Sequence, residues 1–149
     1  MAEHDTEAEL RARALRLLAR REHSRQELAR KLSPHAESSD ALEDLISDLR
    51  TKNQLSEARF AEGRARWLAR KYGAAKIRQD LQAKGVPDEL IARYSAPSDE
   101  LEKARAILER KYRTPAATRE EKAKRMRFLQ SRGFSAAVIF TLLSAKDAA

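Results

Sequence analysis

Cysteine is absent from all 149 residues, which removes disulfide bridges and thiolate metal ligands and suits a reducing compartment. Glycine and proline number four each, too few for a loop-rich or low-complexity chain. No stretch approaches the ~18 consecutive apolar residues of a membrane span, and the opening "MAEHDTEAELRARA" lacks the apolar run of an export signal. A soluble cytoplasmic protein with no membrane contact is expected. No segment alternates apolar and polar residues with β-branched enrichment, so no sheet is expected. The catalytic signatures G-x-x-x-x-G-K-[ST], G-x-G-x-x-G and G-x-S-x-G are all missing. His4, His23 and His35 fall in a terminus, an interhelical turn and a loop without metal-ligand spacing, and are expected to face solvent. Most carboxylates sit at helix starts or four residues from a base, where capping and pairing account for them. Neither an enzyme nor a metal or cofactor site is expected.

What the chain does have is charge. It is 36% charged and 42% hydrophobic, the profile of an all-α protein rich in Ala, Glu, Lys, Leu and Arg. Thirty-one Lys and Arg against twenty-three Asp and Glu leave +8, which is compatible with an anionic partner without identifying it, and by charge alone nucleic acid, an acidic protein and a membrane surface stay open. The excess is uneven: residues 56–96 carry nine bases against five acids and residues 97–149 twelve against seven, whereas residues 34–55 are acidic.

Helix punctuation divides the chain. Ser24 to Glu27, Asp40 to Glu43 and Thr118 to Glu121 have the spacing of capping boxes, in which a side-chain oxygen satisfies a free N–H and the acid reaches back. Ser56, Ser98 and Ser135 are expected N-caps, and Pro87 a first-turn proline. Gly73, Gly85 and Gly133 each follow a periodic segment and are expected as left-handed C-terminal caps. Nine helices follow, at about 6–21, 24–33, 39–52, 56–72, 74–84, 87–95, 98–113, 118–132 and 135–145.

These fall into three similar groups. "KIRQDLQAKGVPDELI" (76–91) lies over "KRMRFLQSRGFSAAVI" (124–139), aligning Leu81 with Leu129, Gln82 with Gln130, Gly85 with Gly133 and Ile91 with Ile139. "SRQELARKL" (24–32) matches more loosely, with Leu28 over Leu81, no glycine and a proline-containing loop after it. Three tandem three-helix repeats are expected, at 1–54, 55–96 and 97–149, forming an elongated, curved array. Units of this size have marginal cores, so neighbours should bury surface against one another.

The segment "RFAEGRARWLARKYG" (59–73) concentrates the basic character. At about 100° per residue from Phe60, the residues Ala61, Ala65, Leu68 and Tyr72 form an apolar arc with Phe60 and Trp67 at its edge. Arg59, Arg66 and Arg70 fall within about 40° of one another as a cationic stripe. Arg64 and Lys71 fall inside the apolar arc. Either their stems cover the core while the charges reach water or an acid of the same chain, or Phe60 and Trp67 are shared between core and partner. Aromatics seven residues apart are ordinarily core. Lys76 and Arg78 follow on the next helix. On "TREEKAKRMRFLQSRG" (118–133), Arg125 and Arg132 share one line, Lys124 and Arg127 lie on other faces, and Ala123, Met126 and Leu129 are expected to face the core.

"LSEARFAEGRARWLARKYGAAKIRQDLQAKGV" (55–86), "FLQSRGFSAAVI" (128–139) and "ARALRLLARREHSRQELARKL" (12–32), in this order and spacing, resemble the RecX family of bacterial regulatory proteins. The resemblance implies tandem three-helix repeats and a monomer that lies on the RecA nucleoprotein filament, inhibiting its ATPase and strand exchange or hindering its growth, with weak DNA binding in some members. It makes Arg59, Phe60, Gly73, Ile77, Leu81 and Gly85 architectural. Trp67 and the glycine-free first repeat depart from the common pattern. A DNA-binding protein acting alone through phosphate contacts, and a helical scaffold for another acidic protein, are the competing readings.

Overall fold

The computed structural model describes residues 3–148, and the side chains of residues 3–144. Among the described residues there are nine α-helices and no strand: α1 (Glu7–Arg20), α2 (Arg25–Leu32), α3 (Ser39–Thr51), α4 (Glu57–Leu68), α5 (Ala74–Ala83), α6 (Asp88–Tyr94), α7 (Glu100–Lys111), α8 (Arg119–Ser131) and α9 (Ala136–Ala148). The capping boxes at Ser24 and Thr118 are formed as expected, and a third, between Thr6 and Glu9, opens α1. Ser56 and Ser135 also cap, accepting from the backbone N–H three residues on. Two expected caps are displaced. Helix α3 starts earlier than an Asp40 cap allows, because the extended Ser38 accepts from the Ala41 N–H at 3.0 Å; Asp40 instead stands in the first turn, where it favours the dipole. Before α7 the cap is Asp99, in left-handed conformation and without a side-chain bond, rather than Ser98.

Each helix triplet closes around its own core. Leu10, Ala14, Leu28, Leu32, Leu45, Ile46 and Leu49 fill the first, joined by Leu55. Phe60, Ala61, Leu68, Ile77, Leu81 and Ile91 fill the second; Ala104, Leu108, Leu129, Phe134, Ile139 and Leu142 fill the third. The aligned repeats correspond in detail: Leu81 and Leu129 are both fully buried, and the glycines after them, Gly85 and Gly133, turn the chain at φ +75° and +92°. The N–H groups of Val86 and Phe134 then reach back to the Leu81 and Leu129 carbonyls at 3.1 and 3.2 Å, satisfying helix-end acceptors. Helix α2 ends differently, in a short 3₁₀ turn over Ser33–His35 with Pro34 in its first turn.

Gly73 is not a left-handed cap. Its backbone is extended, at φ −86°, and it stands at the N-cap of α5, because α4 stops at Leu68 and a tight turn carries residues 69–72. Closeness explains the glycine: a Cβ there would lie 2.6 Å from the Gly133 carbonyl oxygen and 2.8 Å from Phe134.

The units bury surface against one another, as small units suggest, with Gly73 packed on Phe134, and the polar contacts at their junctions repeat. The first acid of α4, Glu57, accepts from the Arg25 N–H that opens α2 at 3.1 Å; the first acid of α7, Glu100, accepts from the Ala74 N–H that opens α5 at 2.8 Å. The middle helices of the first and second units thus each have an otherwise unpaired N–H satisfied by the following unit. Gly85 lies against the Gln26 side chain and Gly133 against the Lys76 backbone, so the terminal glycine of one middle helix receives the start of the preceding one. At the second junction the Gly73 N–H also donates to the Arg132 carbonyl at 2.7 Å. The total accessible surface, 9752 Å², exceeds the ~7,700 Å² of a compact monomer of this length, as an open array of small units requires.

His23, expected in solvent, is 1% exposed. Its Nδ1–H donates to the Arg21 carbonyl at 3.0 Å, which leaves Nε2 to accept from the Lys31 ammonium, also at 3.0 Å. Burial pushes the imidazole below its ordinary pKa against the favourable Arg21 carbonyl contact; the Arg21 and Lys31 charges add to the shift and Glu27 opposes it. The folded state holds His23 neutral while the unfolded chain protonates it below about pH 6.5, so stability is full above that pH and falls as pH drops toward the lower folded value. Urea titrations at pH 7.5 and 5.5 should show this loss, and His23→Gln should remove most of it.

Gly63 lies in the exposed middle of α4, and a methyl group added to its Cα would have nothing within 4 Å. Gly63→Ala should therefore raise stability by about 0.8 kcal/mol, read as an increased urea midpoint.

Candidate functional site

The end of α4, the turn after it and the start of α5 meet the C-terminal half of α7 across the junction of the second and third units. They enclose a cleft of about 650 Å³. Of the basic residues singled out from sequence it gathers Arg64, Arg70, Lys71 and Lys76, and it adds Arg110 from α7. Leu68 is buried and Tyr72 half-buried, so they form its inner wall; Arg70, Lys71, Lys76 and Arg110 are exposed and form its rim. A second hollow on the other side of Arg70 and Arg110 runs on beside Lys103 and Arg113.

Trp67 stands at this cleft 58% exposed, whereas Phe60 is buried at 5%. Its surroundings resolve the two alternatives for Arg64. Asp80 on α5 accepts from Arg64 Nε and Nη2, both at 2.8 Å, in a bidentate fork half sheltered from water, and this acid holds the guanidinium above its ordinary pKa. The same guanidinium carbon lies 5.2 Å from the Trp67 ring centroid. Asp80 thus fixes Arg64, and Arg64 braces the indole. The acid stands on a second helix that sequence spacing alone does not bring beside α4.

The expected stripe of Arg59, Arg66 and Arg70 does not form one free surface. Arg59 donates to Glu22 at 2.8 Å and to the side chain and carbonyl of Asn53, and is a strut to the first unit. Arg66 points to solvent with only Glu62 at 3.5 Å, and Arg70 belongs to the cleft.

On α8 the expected faces are exchanged. Arg125 is 6% exposed with its guanidinium 4.4 Å from the Tyr112 ring, and Met126, expected inside, is 43% exposed. A long stem with a ring to lie on fills that position better than the thioether. Arg132 lies 5.4 Å from the Tyr72 ring and 4.9 Å from Phe128, and donates to the Lys71 carbonyl at 3.3 Å, clamping the second junction. Lys124 and Arg127 are exposed on α8, and Arg78 is exposed beside Pro97 and Gly133, away from the cleft. Phe60, Ile77, Leu81 and Leu129 are core residues, as their apolar periodicity implied. Arg110 escapes a reading of the sequence: it sits in the ordinary basic last turn of α7, and only the packing of α7 beside Arg70, whose carbonyl accepts from Arg110 Nη2 at 2.7 Å, makes it part of the site. No group of acids and histidines suited to a metal occurs among the described residues, and no helix there is long and apolar enough to cross a membrane.

Fold and cleft together define an all-α tandem-repeat protein whose distinctive surface is a cationic junction with an exposed indole. Family models of the first, second and third three-helix domains of RecX match residues 11–49, 56–94 and 98–143. Regulatory protein RecX of Ralstonia nicotianae is 43% identical over 141 residues, covering 93% of this chain and 89% of that protein. The RecX of Leptothrix cholodnii is 42% identical over 149 residues, covering 99% and 95%. The crystal structure of RecX from Lactobacillus salivarius shares the fold, with a TM-score of 0.83 at 21% identity over 96% of this chain and 97% of that one. The chain belongs to the RecX family of regulatory proteins.

Proposed function

We propose that this chain acts in the cytoplasm as a monomer that binds the RecA nucleoprotein filament and restrains its ATPase, its growth and its strand exchange in recombination and DNA repair. Units at 1–54, 55–96 and 97–149 would lie along the filament, the second and third making the charged contact. The observation that carries this reading is the cleft at their junction, where five cations meet a single acid that Arg64 already engages. The regulatory name of the relatives supports a role by binding rather than by catalysis.

The test is RecA ATPase on single-stranded DNA with increasing amounts of this protein. A dose-dependent fall is expected, saturating as the filament fills. An unchanged rate, together with tight binding to DNA when RecA is absent, would replace this reading with that of a DNA-binding protein. Its salt dependence would then show a log–log slope of about −0.7 to −0.9 per phosphate contact.

A further inference from the structure

We infer that the cleft between the second and third units takes an acidic segment of protein carrying one large apolar side chain. That side chain lies against Trp67, and its flanking carboxylates meet Arg70, Lys71 and Arg110. The inference rests on the partner-binding reading above and concerns what enters the cleft.

Trp67 is the anchor point. A chain that buries Phe60 and Leu68 leaves this larger ring 58% exposed at the mouth of a concavity, the setting in which Trp and Arg dominate binding energy. The Asp80–Arg64 fork already holds the indole's neighbour in place, so little side-chain freedom remains to be lost on binding. Around it, Arg70, Lys71 and Lys76 are exposed cations with no acidic partner among the described residues, and Arg110 gives only one of its donors to the Arg70 carbonyl. A ligand with carboxylates on either side of an apolar group therefore meets both kinds of surface at once. The volume, about 650 Å³, is that of a site for a few residues.

A nucleic acid strand fits less well. Strand-binding grooves stack successive bases on successive rings, but Tyr72, the other ring at the wall, has Arg132 5.4 Å from its centroid.

Trp67 is the sole tryptophan, so the fluorescence of the whole protein reads the cleft directly. The probes are the peptide acetyl-Asp-Glu-Asp-Phe-Asp-Glu-Asp-amide, its Phe-to-Ala counterpart and an oligonucleotide of twelve thymidines, titrated at low ionic strength. The Phe peptide should change Trp67 emission and bind at least about tenfold more tightly than the Ala peptide. Arg70→Ala with Arg110→Ala should weaken it by a similar factor. Lys71→Ala with Lys76→Ala, which breaks no side-chain bond among the described residues, should weaken it too, while Arg16→Ala on the first unit should not. Equal binding of the two peptides, tighter binding of the oligonucleotide, or unchanged emission with every probe overturns the inference. The titration contains no RecA, so its failure is distinct from a failure of the ATPase test.

Discussion

Gly133→Ala is expected to lower stability by about 2–5 kcal/mol. Two effects combine. At φ +92° an L side chain is strained by about 1–2 kcal/mol, and the added Cβ would lie 2.6 Å from both the backbone nitrogen and the Cβ of Lys76. Overpacking against backbone that cannot turn aside costs a further 1–3 kcal/mol or so. Gly85→Ala provides the comparison. It has the same sign of φ, but the methyl meets mainly the amide end of the Gln26 side chain, which can swing away, and the Gln26 Cβ less closely at 3.1 Å. Its loss should stay near the ~1–2 kcal/mol of strain. Urea unfolding followed by circular dichroism checks both, and equal losses would show that close approach between the units is not what selects the glycine.

The second large effect is functional. Arg70→Glu combined with Lys71→Glu should reduce the potency of RecA inhibition at least tenfold, about 1.4 kcal/mol of binding free energy, with the deficit shrinking as salt is added. Neither side chain holds the fold together, so helicity and unfolding midpoint should stay near their starting values. Arg59→Ala should behave in the opposite way. It removes the strut to Glu22 and Asn53, lowering stability slightly because the pair is exposed, and leaves potency within about twofold. Retained inhibition by the folded Arg70 and Lys71 double variant would move the partner contact to Lys124 and Arg127.

Local signals in the sequence carried the fold well. Ser24, Thr118, Ser56 and Ser135 cap where side-chain chemistry and spacing place them, and the alignment of Leu81-Gly85-Ile91 with Leu129-Gly133-Ile139 corresponds to matching burial and backbone turns. Two caps, at Asp40 and Ser98, were misplaced by one or two residues, and the larger failures depended on contacts between elements. Gly73 reads as a cap by position, yet its glycine is required by a carbonyl of the third unit, which no local pattern encodes. The helical wheel placed Arg59, Arg66 and Arg70 together, but it has no knowledge of Glu22 or Asn53, and α4 ends one turn before the wheel does. Trp67 and Arg64 could be seen as an edge between core and surface; only the arrival of Asp80 from α5 decides the matter. Arg110 carried no signal, since a basic last turn is common to many helices.

The 3₁₀ turn at Ser33–His35 gives the array a direction. In the second and third units a glycine after the middle helix accommodates the unit before it; in the first, where Leu28 corresponds to Leu81, Leu32 stands at that place and the 3₁₀ turn follows it. Position in the series is thereby written into each unit's own sequence. A duplicate of the second unit inserted after itself would find the glycine, the leading acid and the open helix start that it needs on both sides. The same duplicate placed ahead of the first unit would meet the buried Leu32 where it needs a glycine, so growth of such a chain by gene duplication is easier in the interior than ahead of the first unit.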